Sequence, residues 1–335
     1  MIYVPPIVTR PIDVAQAIVR GAAAAARDAA SRGAPPKPVV SCFMGSHGVS
    51  ESLHSLHESQ IPSYTFPESA AIALARATRY GRWRAEPEGA VRQFDIDRVR
   101  AEAILAAAKS RVAPGANGWL DPGETRDLLA LYGIATPAVR IAHDADQAVA
   151  EARAIGFPVV LKLVSSTITH KSEVGGVALD LRSESDVREA FRGMEQRLAG
   201  HGWRDRMEGV LIQPMIREGL EAIVGMTQDP SFGPLIMFGL GGVQVELLKD
   251  VAFRIHPLTD RDARELVRSV RGFPLLGGWR GSPPGDVAAV EEVLLRISQL
   301  AGDFPEVSEM DLNPLRVLPP GRGCLVVDAR IAVRG

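Results

Sequence analysis

The stretch from Phe157 to Leu181, FPVVLKLVSSTITHKSEVGGVALDL, reads as strand, loop, strand. Its first apolar run, starting at Pro158, ends on a single lysine, Lys162. A polar loop follows from Ser165 to Glu173, then Gly175 and Gly176, then a second apolar run from Val177. A lysine leaving a buried strand beside a polar loop with two glycines suits a phosphate. The ammonium is a compact positive charge, and glycines let backbone N–H groups come close. The same residues also read as an edge hairpin with a solvated lysine.

Working outward, 335 residues are enough for two or more domains. Hydrophobic content of 46% and charged content of 23% describe an ordinary globular chain. A formal net charge of -2, with no Lys/Arg-rich block, points to neither nucleic acid nor a membrane surface. No apolar run is long enough for a transmembrane helix, and MIYVPPIVTRP at the start is not a signal peptide. Cys42 and Cys324 are far apart without metal-ligand spacing and read as reduced, buried thiols, so the expected compartment is the cytoplasm.

Upstream, residues 1 to 85 alternate strand and helix three times. Short strands are expected near Ile2, from Pro38 and from Pro62. Helices are expected from Thr9, as cap, to Ser31, from Ser50 to Gln60, and from Glu68 to Tyr80. Such alternation implies parallel strands with right-handed crossovers. Three strands are few for a doubly wound sheet, so the region reads as the C-terminal part of a larger α/β domain. Its open edge predicts association, as a heteromer or a homodimer. Residues 86 to 117 carry one helix, about Asp95 to Arg111, between Pro/Gly-rich stretches, and read as a connector. From 118 to 335 strands outnumber helices, which predicts a second, α+β fold. Helix starts are marked at Asp121, Asp144 and Ser183.

No P-loop, Rossmann fingerprint, HExxH or G-x-S-x-G is present. What remains is a set of three parts. Lys162 ends one strand, and Gln213 ends a later one before a turn at Pro214. Asp311, Asn313 and Asp328 sit on a terminal β-ribbon. Asp311 and Asn313, two apart, share a strand face, and Asp328, ending the next strand, can stand opposite. Two carboxylates and an amide oxygen suit Mg2+ bridging phosphates, although D-x-N alone also reads as a solvated turn.

The order of the motifs PVVLK, HKSEVGG, GVLIQPMI, GLEAIVGMTQDPSFGP, FGLGGVQVELLKDVAFRIHPL, MDLNPLRV and LVVDARI resembles an ATP-grasp domain. In closer detail it resembles the nucleotide-binding part of the NDP-forming acyl-CoA synthetases, relatives of succinyl-CoA synthetase. Residues 1 to about 85 look like the tail of that family's ligase-CoA region. The resemblance implies a partial flavodoxin-like parallel sheet (1–85), the helical connector (86–117) and an ATP-grasp domain (118–335) with subdomains at 118–205 and 206–335.

For individual residues, the resemblance implies that Lys162 holds an ATP α- or β-phosphate. Gln213 and the backbone at Met215 would form the adenine hinge, and Glu221 would reach the ribose. Gly241 and Gly242 would make the close turn beneath the nucleotide, and Asp311, Asn313 and Asp328 would hold Mg2+. His170 matches the family's second phosphohistidine relay site. A neutral imidazole is a good phosphoryl acceptor near pH 7. The other six histidines, including His47, His54, His57, His143, His201 and His256, read as surface or element-end residues.

The chain departs from the pattern in having no S-H-T-G segment and no CoA-binding domain. The resemblance therefore implies the ATP/ADP- and Mg2+-binding half of an ADP-forming acid–CoA ligase. Its partner would be an alpha-type chain carrying the CoA-binding domain and the primary phosphohistidine. Two other readings stand beside it: a non-catalytic nucleotide-binding module, and a different ATP-grasp ligase acting through an acylphosphate.

Overall fold

The computed structural model describes residues 2–3, 10–43, 49–165, 167–168, 174–242, 249–281 and 283–335. The chain divides into two units, Met1–Glu88 and Gly89–Gly335.

In the first unit, strands β1 (Ile2–Tyr3), β2 (Ser41–Phe43) and β3 (Ser63–Tyr64) form a parallel sheet in the order β1-β2-β3. Helices α1 (Pro11–Ser31), α2 (Val49–Glu58) and α3 (Pro67–Ala85) alternate with them, as the sequence predicts. The N-cap position of α1 is Arg10, with Pro11 at the first helical position, where its missing N–H costs nothing, and the expected cap Thr9 lies outside the described residues. Helix α2 starts at Val49, one residue before the expected cap Ser50. The core of this unit is small: Ala15, Ile18, Phe43, Leu56 and Ile61.

The second unit opens with α4 (Arg98–Lys109), capped by Asp97, which accepts from the Arg100 N–H at 3.0 Å. The sequence reads this region as a connector, but Ala101, Leu105 and Ala108 are buried in the unit's largest core, so α4 is part of that unit. Strand β4 (Asn117–Trp119) and α5 (Pro122–Leu131) follow. A reciprocal pair of bonds between Asp121 and Glu124 caps α5. Next come β5 (Arg140–Ala142), α6 (Ala145–Ile155), β6 (Val159–Val164), β7 (Val177–Leu181) and α7 (Glu184–Gly200), then β8 (Gly209–Pro214). These strands make an antiparallel sheet in the order β5-β8-β6-β7.

The decisive hairpin is therefore β6 and β7, with Leu161 opposite Ala178 and Lys162 opposite Val177. Strand β6 is an inner strand, not an edge, and it runs two residues beyond Lys162. Val159, Leu161, Val210 and Ile212 turn one face of this sheet into a core with α6 and α7. Lys162, Leu211 and Gln213 alternate with those residues and so occupy the opposite face.

The rest of the chain builds a larger sheet. Its strands are β9 (Leu220–Asp229), β10 (Gly233–Leu240), β11 (Val251–Ile255), β12 (Val307–Val317), β13 (Cys324–Val326) and β14 (Ala329–Arg334). The order is β11-β10-β9-β12-β14-β4, with β13 also on β12, and all pairs are antiparallel. Helices α8 (Asp260–Ser269), α9 (Phe273–Leu276) and α10 (Val287–Asp303) contribute to the core on one face. Ala222, Val224, Met226, Ile236, Phe238, Met310 and Leu312 fill that face. Glu221, Gly225 and Asp311, with odd register, lie on the other. Among the described residues no helix is long and apolar enough to cross a membrane.

Candidate functional site

The two sheets meet where β13 gives way to β14. The sequence places Asp328 at the end of a strand, but Val327 and Asp328 form a two-residue break between the two. Opposite them the β12 register shifts between Leu312 and Leu315, so Asn313 and Pro314 also leave the regular ladder. The two irregularities fit each other. The Asn313 N–H donates to Asp328 O and the Val327 N–H donates to Pro314 O, both at 3.0 Å.

Across the gap, Lys162 reaches the break from β6. Its Nζ donates to Val327 O at 3.2 Å and stands 3.3 Å from Asp328 Oδ2. The lysine side chain is only 12% exposed, whereas Asp328 is 48% exposed. Gln213, buried at 2% exposure on β8, donates from Nε2 to the same Val327 carbonyl at 3.3 Å. Lys162, Leu211, Gln213, Val327, Asp328 and Arg330 line one cleft, together with Thr125 and Arg126 of α5.

Asp311 lies on the open face of the large sheet, paired in register with Arg330 on β14 and with Gly225 on β9. Burial pushes its carboxyl above the ordinary carboxylate range. Arg330 works against the shift, while the negative charges of Asp328 and Glu309 add to it. Two carboxylates close enough to repel are a natural place for a cation. Among the described residues no three His, Cys, Asp or Glu side chains stand together as a metal cage. That donor set fits Mg2+, which takes one or two carboxylates and completes its shell with water and phosphate oxygens. Asn313 is exposed, and its backbone N–H donates to Asp328 O beside these carboxylates.

A second cluster surrounds Glu221 at the start of β9. Its Oε1 pairs with Arg316 at 2.7 Å, and its carbonyl accepts the Gly241 N–H at 2.7 Å. A Cβ on Gly241 would fall 2.7 Å from Glu221 Cβ, so only glycine fits there. Gly242 has φ +91°, the left-handed region that favours glycine. Met215 gives its N–H to Pro158 O at 2.9 Å, so this donor is already spent within the small sheet. His170 and the segment 243–248 lie outside the described residues.

Lys162, Gln213 and Asp328, each singled out in the sequence, stand together around Val327. The Val327 carbonyl and Arg316 were missed, because neither belongs to a motif. Arg316 was accessible from strand pairing alone, since it stands directly opposite Glu221.

Residues 111–333 match the model of the ATP-grasp domain. The chain is 43% identical over 299 residues to the ADP-forming acetate–CoA ligase I of Archaeoglobus fulgidus. That match covers 89% of this chain and 42% of the relative. It is 40% identical over 237 residues to the β subunit of ADP-forming acetate–CoA ligase I of Pyrococcus furiosus, covering 70% of this chain and 99% of that subunit. The chain belongs to the ATP-grasp family of ADP-forming acetate–CoA ligases.

A solved structure from Ca. Korarchaeum cryptofilum agrees with the ATP-grasp assignment. It is a dinucleotide-forming acetyl-coenzyme A synthetase 1 with coenzyme A and Mg-AMPPCP, its phosphohistidine segment pointing towards the nucleotide binding site. It superposes at a TM-score of 0.59 with 40% identity, over 70% of this chain and 100% of that one. The present ATP-grasp chain spans about two fifths of the length of the fused Archaeoglobus relative (42%). Lys162 of the small sheet and Asp311 of the large sheet both lie within the residues that match the ATP-grasp model.

Proposed function

We propose that this chain is the nucleotide-binding part of an ADP-forming acid–CoA ligase, with the overall reaction acyl-CoA + ADP + phosphate = acid + CoA + ATP. The observation that carries the reading is the meeting of Lys162 and Asp328 in one cleft between the two sheets. A lysine for phosphate and a carboxylate for the metal are the two charges that a Mg-nucleotide needs.

In this reading Lys162 leaves Asp328 and binds the α- or β-phosphate, in a cleft where water screens its charge poorly. Asp311, Asp328 and Asn313 would hold Mg2+, which when bound would neutralise phosphate charge. Glu221, kept in place by Arg316, turns Oε2 toward Gly242 and the ribose side. Gly241 and Gly242 let the backbone pass beneath the nucleotide. The hinge at Met215 offers its carbonyl to the base edge, since its N–H is occupied.

His170 is the proposed phosphoryl carrier. An ADP β-phosphate oxygen attacks the phosphorus of phosphohistidine, a P–O bond forms, the P–N bond breaks, and the electron pair returns to the imidazole nitrogen. The partner is a chain or region that binds CoA and carries the first phosphohistidine.

Calorimetric titration of ADP with Mg2+ into the chain tests this reading, beside Lys162→Ala and Asp328→Asn. Binding that needs Mg2+ and weakens in both variants is expected. Binding unchanged in both would overturn the assignment of the site. Phosphate-dependent ATP formation should appear only when the CoA-binding partner is added, and activity of the chain alone would remove the need for that partner.

A further inference from the structure

Two side chains from neighbouring inner strands end on one carbonyl of the other sheet. Lys162 of β6 and Gln213 of β8 both donate to Val327 O, at 3.2 and 3.3 Å. Pairing makes this possible: Lys162 stands opposite Leu211, so Gln213 lies two residues along β8 on the same face. Val327 directly precedes Asp328, in a break that strand pairing does not span.

The two donors differ in what else they must do. Lys162 also pairs with Asp328, and the proposed function requires it to turn to a phosphate. Gln213 is 2% exposed and has no charge to offer a phosphate. One of its two amide N–H groups is spent on Val327, which turns the carboxamide toward the break rather than leaving it free to read a base. When Lys162 changes partner, Gln213 is the side chain that still holds the Val327 carbonyl. The half-buried Val327 carbonyl, if it lost both donors, would be left without a side-chain partner on the small sheet, and the break would lose that hold.

We propose that Gln213 is a positioning residue of the metal site: it pins Val327 so that the Asp328 carboxylate keeps its place when Lys162 moves to the nucleotide. The inference rests on the nucleotide-site reading and assigns Gln213 to the metal rather than to adenine. Gln213 touches neither nucleotide nor metal in this role and acts through Val327. Outer partners of this kind typically tune metal affinity by about 10- to 100-fold when removed.

The test uses Gln213→Met, which keeps length and packing but cannot donate, and Gln213→Glu, which keeps shape and replaces the donor by an acceptor. ADP binding is followed by calorimetry over a series of Mg2+ concentrations, and GDP is titrated in parallel. Three results are expected. The Mg2+ concentration for half-maximal ADP binding rises about 10- to 100-fold. The ADP-to-GDP affinity ratio stays at the wild-type value. In an Asp328→Asn background, Gln213→Met adds nothing further, as for two groups acting as one unit.

Unchanged Mg2+ dependence, a shifted ADP-to-GDP ratio, or additive effects with Asp328→Asn would each overturn the proposal while leaving the nucleotide site standing. Wild-type chain that binds no ADP at any Mg2+ concentration would overturn the nucleotide-site reading and this inference together. Thermal unfolding of each variant separates loss of fold from loss of positioning. If Gln213→Met does not fold, Gln213→Glu carries the same comparison.

Discussion

Lys162 and Gln213 ride on inner strands of the four-stranded sheet, where the ladder fixes which way each side chain points. Val327 and Asp328, which face them, sit where the seven-stranded sheet interrupts its ladder between β13 and β14. The small sheet supplies donors from regular backbone, and the large sheet supplies acceptors from irregular backbone. A regular strand holds a side chain at fixed height. A break frees a carbonyl from strand pairing and turns it toward the cleft. The division of labour follows from what each kind of backbone can present.

The largest expected effect tests whether the large sheet must be rigid for its break to hold. Phe238 is fully buried in the core beneath β10. Phe238→Ala should cost about 3–5 kcal/mol of stability. Chemical denaturation measures this, and a cost below about 1 kcal/mol would mean that the site does not depend on this core.

Next in size is the small sheet's own contribution. Lys162→Ala removes a charged donor from a part-buried position. Charged hydrogen bonds are worth about 1.5–3 kcal/mol, so ADP affinity should fall roughly 10- to 100-fold. The fold should survive, because the core face of β6 is carried by Val159 and Leu161. Equal binding by the variant would shift the work of holding phosphate to the large sheet and break the comparison.

The same division decides how much of the site is legible in the sequence. Lys162 stands out because an apolar run with one lysine is a strand with one exception. The reciprocal caps at Asp121 and Ser183 are legible because a side chain bonds within three residues of itself. The parallel first unit is legible from its alternation of elements. Val327 carries no such mark. Its function lies in a backbone carbonyl, and backbone geometry at a break depends on the facing shift at Asn313, reached only through strand pairing. Asp328 was legible as a carboxylate but not as part of a break. The inclusion of α4 in the second unit was hidden for a similar reason. The partners of Ala101 and Leu105 lie far away in sequence, and a helix bracketed by Pro and Gly looks like a linker until they are known.

Gly241 gives a smaller effect, at the large sheet's other functional end. A methyl group there would approach the Glu221 Cβ to 2.7 Å and its carbonyl carbon to 3.1 Å, neither of which can rotate away. Gly241→Ala should therefore destabilise by about 1–3 kcal/mol and weaken ADP binding by displacing Glu221. Measuring both sharpens the contrast. The large sheet's ends should respond to added volume, while the small sheet's Lys162 should respond to lost charge.

The smallest effect carries two opposite signs in one variant. Burial and the charges of Asp328 and Glu309 hold the Asp311 carboxyl above its ordinary value, with Arg330 only partly offsetting them. A raised carboxylate is one that the fold disfavours in its charged form. In the metal-free chain this cost is fully present above the raised value. It shrinks as pH falls through that value and is absent below the ordinary carboxylate range, where both states are protonated. Asp311→Asn should therefore raise Tm at neutral pH in the presence of a chelator, and the gain should fade on acidification. The same substitution removes a charged oxygen from the metal set, so the Mg2+ needed for ADP binding should rise. Under the proposed function, two like charges held together give up stability that a bound cation would restore. A lower Tm for Asp311→Asn at neutral pH would instead make Asp311 the structural partner of Arg330, and the large sheet would then present one metal carboxylate, Asp328, rather than two.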